Sequence, residues 1–98
     1  MTFGELSRQV IGELGTTLAS VQEAQASALV DSIVAAERVF LAGAGRSGLA
    51  IRACAMRLMH AGVSAHVIGE TTTPGIGARD LLLIGSGSGA TGSLVVMA

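Results

Sequence analysis

Apolar residues Leu6, Val10, Leu14 and Leu18 recur on one helical face behind Thr2 and Glu5, which have the spacing of a capping box; together they predict an amphipathic helix over residues 3–19. Gly12 and Gly15 weaken that helix. Ser20 and Glu23 repeat the box, and Ala26, Leu29, Val30 and Ile33 give a second helix a face of its own, ending near Ala36. A helix with one apolar stripe must cover something. For the first of these helices, a second subunit and its own domain are equally good candidates.

The texture then changes. VFLAG (39–43) is a short strand-like run ending at glycine, and Ile51, Cys54, Ala55 and Leu58 mark the buried face of a following helix that stops with Gly62 at its C′ position. VSAHVI (63–68) predicts a second strand, ETTTPGIGAR (70–79) a loop, and DLLLIG a third strand; TGSLVVMA opens a further helix. Short strands separated by a helix pair in parallel through right-handed crossovers, which predicts an α/β fold, a three-layer αβα sandwich with a parallel sheet. Because LLLI is apolar on both faces, it reads as the central strand, covered on both sides. The organisation expected is a helical segment over 1–37 and a sheet-bearing segment over 38–98. Three strands and one cut helix suggest the N-terminal part of a longer domain.

Composition narrows the function. Half of the 98 residues are apolar and 13% are charged, so the chain can bury a core, built without Trp or Tyr. The net charge of −1 and the scattered arginines lack the basic footprint of a nucleic-acid binder. One cysteine, Cys54, and two separated histidines make neither a disulfide nor a structural zinc set. The N-terminus has no signal-peptide core and no stretch reaches the ~20 apolar residues of a membrane helix, so the protein reads as cytoplasmic.

The candidate chemistry sits at two glycine-rich corners, GAGRSG (43–48) and GSGSGATG (85–92), each following a strand. In parallel α/β sheets ligands bind outside the carboxyl ends of strands. Glycines let backbone approach a ligand, and the unpaired N–H groups that open a helix attract anions. Ser86, Ser88 and Thr91 add hydroxyls suited to phosphate; Ser88 is equally a helix cap. GAGRSG also satisfies G-x-G-x-x-G, with Glu70 where a ribose would be read, so a dinucleotide-binding domain is the rival reading. Neither corner has the ending of a P-loop.

Arg46 stands beside a helix N-terminus, where a cation is unfavourable, so a substrate anion explains it better than helix stability; pairing with Glu70 is the plainer alternative. Ser47 could cap the helix or contact ligand. His60, in the last helical turn, is either a C-terminal capping side chain or a general acid or base. Glu70 begins a loop at the pocket edge and could touch substrate hydroxyls, organise Arg46 or face water. His66 reads as structural, Asp80 as the residue leading into the third strand, Arg52 and Arg57 as a solvent or subunit face, and Cys54, Met56 and Met59 as packing or contact residues.

AGAGRSG, AMRLMHAG, VIGETTTPG and DLLLIGSGSGAT, in that order, resemble the 6-phospho-3-hexuloisomerases, a branch of the sugar isomerase (SIS) domain proteins. The resemblance spans essentially the whole chain. It implies a single SIS domain roughly twice this length, a leading helical segment used in oligomers, typically tetramers, so that this chain is expected to form a homo-oligomer, a dimer or a homotetramer, and interconversion of 3-hexulose 6-phosphate and fructose 6-phosphate in the ribulose monophosphate route of formaldehyde fixation. It places the phosphate-binding SxSGxT motif on Ser86, Ser88 and Thr91, a further site serine on Ser47, the arginine beside it on Arg46, and on His60 a histidine implicated at the active site, which can be contributed across a subunit boundary. It implies a phosphorylated ketose as substrate, with no cofactor and no metal. The family's proton-transferring glutamate lies in the later half of the domain and has no counterpart here. A non-catalytic sugar-phosphate-binding SIS module is the alternative within the family, and arabinose 5-phosphate isomerases share the glycine and serine loops.

Overall fold

The computed structural model describes residues 1–87. Its elements are α1 (Phe3–Ala19), α2 (Glu23–Ala35), β1 (Val39–Gly43), α3 (Gly45–His60), β2 (Ala65–Val67) and β3 (Leu81–Gly85). Backbone proximity divides the chain into two compact units, Met1–Ser32 and the remainder from Ile33.

In the first unit, α1 starts as its sequence requires: Glu5 N donates to Thr2 Oγ1 (3.1 Å) and Thr2 N to Glu5 Oε2 (3.3 Å), a reciprocal capping box. Leu6, Val10, Leu14 and Leu18 are all exposed. The second expected box, Ser20 with Glu23, does not form. Ser20 closes α1 instead, its hydroxyl donating to Thr17 O at 2.6 Å, and the backbone turns into α2 at Gln22, whose N–H donates to Gln25 Oε1. Ser20 keeps helical backbone (φ −77°, ψ −14°) as the end of α1, whereas an N-cap takes extended backbone.

The second unit is a parallel sheet ordered β2-β1-β3 and flanked by helix, an αβα architecture of the SIS type. Val39 pairs with Ala65 and Leu81, Phe40 with His66 and Leu82, Leu41 with Val67 and Leu83. Alternation along β1 therefore gives two faces. Val39 and Leu41 face α3 and form the core with Ala55, joined by Ile33, Ile51, Cys54 and Leu58. Phe40 points the other way and is equally buried. Among the described strands β1 lies in the middle and is buried over Val39–Ala42, whereas β3 is half-buried with β1 on one edge; the expectation that LLLI forms a central strand turns on its other edge, which lies outside the described residues. An apolar run reports that both faces need cover, and says nothing about order across the sheet.

α3 ends in a Schellman motif. Gly62 takes φ 93°, its N–H donates to Met59 O, and Val63 N donates to Leu58 O, each at 3.0 Å. Committing Val63 to this cap shortens β2 to 65–67, although Val39 N to Ser64 O and Ile68 N to Leu41 O, both 2.9 Å, continue its pairing with β1. No described helix is long and apolar enough to cross a membrane.

Candidate active site

The β1–α3 corner is shaped by missing side chains. A Cβ on Gly43 would stand 2.9 Å from Gly48 Cα, and one on Gly48 would stand 2.8 Å from Gly43 O. Only paired glycines let the first turn of α3 press this closely on the end of β1. Gly45 between them has φ 58°, the left-handed region that ordinary side chains disfavour. The helix opens at Ala44, which supplies no side-chain cap. Its first N–H groups thus face the corner without a capping oxygen, the arrangement that favours an anion.

Gly43 and Gly85 are register partners, so the corners at the ends of β1 and β3 are adjacent. Across them, Ser47 Oγ lies 3.9 Å from where a Cβ on Gly87 would stand. The hydroxyl of Ser47 makes no hydrogen bond among the described residues, and it is not the helix cap, because the capping position belongs to Ala44. Ser86, directly after β3, is half-buried in the same corner. Arg46 is exposed, and its pairing with Glu70 is not formed. Ser88 and Thr91 lie outside the described residues.

His60 sits at the opposite end of α3, exposed. At ~1.5 Å per residue, Ser47 and His60 are separated by roughly 20 Å along the helix. A single copy cannot bring both to one small substrate. Nor does the His60 side chain cap α3; the Schellman motif does that with backbone.

Glu70 is exposed and lines a groove of about 300 Å³ beside the outer edge of β2, together with Arg52, Met56, Met59, His66 and Thr73. Arg52, Met56 and Met59, read from sequence as surface or packing residues, therefore share a wall with Glu70. His66 packs as a structural residue, its ring stacked on Phe40 with centroids 5.3 Å apart and its Nε2 3.4 Å from Ser64 Oγ, while also reaching the groove.

One pair escaped the sequence reading. Arg38 Nε and Nη2 donate to Asp80 Oδ1 (3.2 Å) and Oδ2 (2.8 Å), with the Asp80 side chain only 2% exposed. The hydrogen bonds from Arg38, against an opposing cost of burial and aided by the Gly77 N–H, hold the Asp80 carboxyl below its usual range. Asp80 in turn raises the Arg38 guanidinium above its ordinary value. No periodicity links residues 42 positions apart.

Comparison with known proteins converges on one group. No protein-family model matches the chain. A 3-hexulose-6-phosphate isomerase from Mycobacterium gastri is 55% identical over 83 residues, which is 85% of this chain and 42% of that protein. The Bacillus subtilis protein of the same name is 45% identical over 91 residues, 93% of this chain and 49% of its relative. The chain spans about half the length of these curated relatives. A crystal structure of a Methanococcus jannaschii hypothetical protein, from which a molecular function of 3-hexulose-6-phosphate isomerase was inferred, superposes with a TM-score of 0.73 at 41% identity, covering 79% of this chain and 45% of that one. A second hypothetical protein of known structure reaches a TM-score of 0.86 at 39% identity, covering 91% of this chain and 48% of that one.

Proposed function

Since this chain, over the residues that align, belongs to the 3-hexulose-6-phosphate isomerase family of SIS-domain proteins, we propose that the full-length gene product is a cytoplasmic isomerase interconverting 3-hexulose 6-phosphate and fructose 6-phosphate. The observation that carries this reading is the meeting of two glycine corners at neighbouring strand ends, with Ser47 Oγ 3.9 Å from the Cβ position of Gly87.

The substrate phosphate binds across the α3 N-terminus, Ser47 and the hydroxyl-rich stretch of Ser86, Ser88 and Thr91, with Arg46 beside it. Anchoring the phosphate spends binding energy away from the reacting carbons to position C2 and C3. A base removes the proton on C2 of the 3-ketose and the electrons move onto the C3 oxygen to give a cis-enediolate; the proton of the C2 hydroxyl passes to the C3 oxygen, and the proton returned to C3 leaves the carbonyl at C2. Donors near the two oxygens stabilise the enediolate, a role for Arg46 and for His60. Because His60 is a helix length from Ser47 in its own chain, the reading requires a homo-oligomer, a dimer or tetramer, in which one copy supplies His60 to another's corner. Glu70 contacts substrate hydroxyls. The base is a glutamate from the later half of such proteins.

Proton NMR of fructose 6-phosphate incubated with the full-length protein in heavy water tests this. Loss of the C3 proton signal or appearance of the 3-ketose is expected. Selective C1 exchange would replace the reading with aldose–ketose isomerisation, and binding without exchange or product would leave a non-catalytic SIS module. Saturable binding of a nicotinamide nucleotide in place of sugar phosphate would favour the dinucleotide reading of GAGRSG.

A further inference from the structure

The connection from β2 to β3 is unusual in construction. These strands are parallel and lie on opposite sides of β1, so the chain must return the full length of the sheet and cross it. Such crossovers are normally helices. Here residues 68–80 contain turns and no helix or strand. Right-handedness puts this return on the face opposite α3, the face of Arg38 and Phe40.

What holds the bare segment can be traced bond by bond. At its start, Thr73 Oγ1 donates to Val67 O at 2.6 Å. At its far end, Arg38 grips three points: both oxygens of Asp80, and Gly75 O through Nη2 at 3.1 Å. Asp80 Oδ2 also accepts from Gly77 N at 2.7 Å, so the carboxylate links the arginine to the loop's own backbone. Main-chain bonds from Glu37 N to Arg79 O and from Leu81 N to Arg38 O, each 3.0 Å, secure only its last residues. The guanidinium is itself fixed in place, 5.3 Å from the centroid of the buried Phe40 ring. The residues that line the groove, Glu70, Thr72 and Thr73, lie in the stretch the Thr73–Val67 bond closes, directly before the Gly75 carbonyl that Arg38 holds.

We propose that Arg38 is a positioning residue for the candidate active site: from the far end of the sheet, its fork onto Asp80 and Gly75 O sets the course of the 68–80 crossover and so places Glu70 and its neighbours. The fork geometry is the essential property. A lysine keeps the charge but cannot bond two carboxylate oxygens and a carbonyl from one rigid plane. The consequence for turnover rests on the isomerase reading above, whereas the positioning itself does not.

Hydrogen-exchange mass spectrometry of the full-length protein separates the two. In Arg38→Gln, amides of 70–79 are expected to exchange about tenfold faster or more, with those of α3 unchanged. Arg38→Lys should reproduce most of that loss, and it carries the test if the glutamine variant fails to fold. Equal acceleration in α3 and the crossover, or no local change in either variant, would overturn the proposal. In the same variants the KM for fructose 6-phosphate should rise severalfold with a smaller change in kcat. Wild-type KM with a loosened crossover would also overturn it as an active-site role. Absence of turnover in the wild-type protein would refute the isomerase reading and leave the exchange result to decide whether Arg38 positions the loop.

Discussion

Between Gly43 and Gly48 the backbone is held by the absence of side chains, and between Gly69 and Asp80 by their presence. In the first segment a Cβ at either end would collide with backbone of the other, so helix and strand meet in one arrangement set by local sterics. In the second, a crossover without regular structure is tied down by Thr73 and by the Arg38–Asp80 fork. Both border the candidate site. Sterics of this kind are insensitive to pH and salt, while a fork of charge-assisted hydrogen bonds depends on the protonation of one carboxyl. The same site therefore has one rigid wall and one conditional wall.

Breaking the rigid wall should have the largest effect. Gly48→Val inserts a branched side chain against Gly43 O and is expected to cost about 3 kcal/mol in urea unfolding and to abolish detectable turnover. A variant with wild-type stability would show that the corner can relax. Next comes the conditional wall. Asp80→Asn should lower Tm clearly, whereas Glu37→Gln, which removes the exposed 4.0 Å pair with Arg79, should leave it within error.

Acid should act through the same carboxyl. Its folded-state pKa is depressed, so the stabilisation it contributes is complete above the unfolded value of about 3.9 and is lost as pH falls through the lower folded value. Acid unfolding followed by far-UV dichroism should therefore lose its dependence on that carboxyl in Asp80→Asn. An identical acid limb in both proteins would count against the fork as the conditional element.

Smaller effects sharpen the contrast. Ser47→Ala removes a hydroxyl with no described hydrogen bond, so Tm should hold while the KM for sugar phosphate rises about tenfold, the value of a charge-assisted bond. A fall in Tm with unchanged KM would return Ser47 to a structural role. Gly62→Ala, at φ 93° and far from the corner, should cost about 1 kcal/mol with kcat/KM unaltered. Together these two would show whether glycine and serine positions at the two ends of α3 divide between function and folding.

Reading the sequence worked wherever one residue's neighbours in the chain are also its neighbours in space. The capping box at Thr2, the bounds of α1, β1 and α3, and the C′ position of Gly62 are all local events, decided by i to i+4 hydrogen bonds and side-chain reach. It failed at Ser20, whose helical backbone ends α1 and so lacks the extended conformation an N-cap needs. Placing Arg46, Ser47 and Ser86 at strand ends followed from their order after apolar runs. Recognising that Arg52, Met56 and His66 share a wall with Glu70 did not, because a groove at a sheet edge collects residues from three elements with no common period.

Composition, periodicity and motif order, properties of the chain alone, carried the helices and strands, the parallel α/β class, the two glycine corners and the resemblance to the family. Closure of the fold settled what the chain order left open: among the described strands β1 is the buried middle one, Ser47 and Gly87 meet while His60 lies a helix away, and Arg38 holds Asp80. These are long-range pairings. They are selected when the sheet closes and apolar faces are buried, a gain that belongs to the assembled fold and to no segment of it.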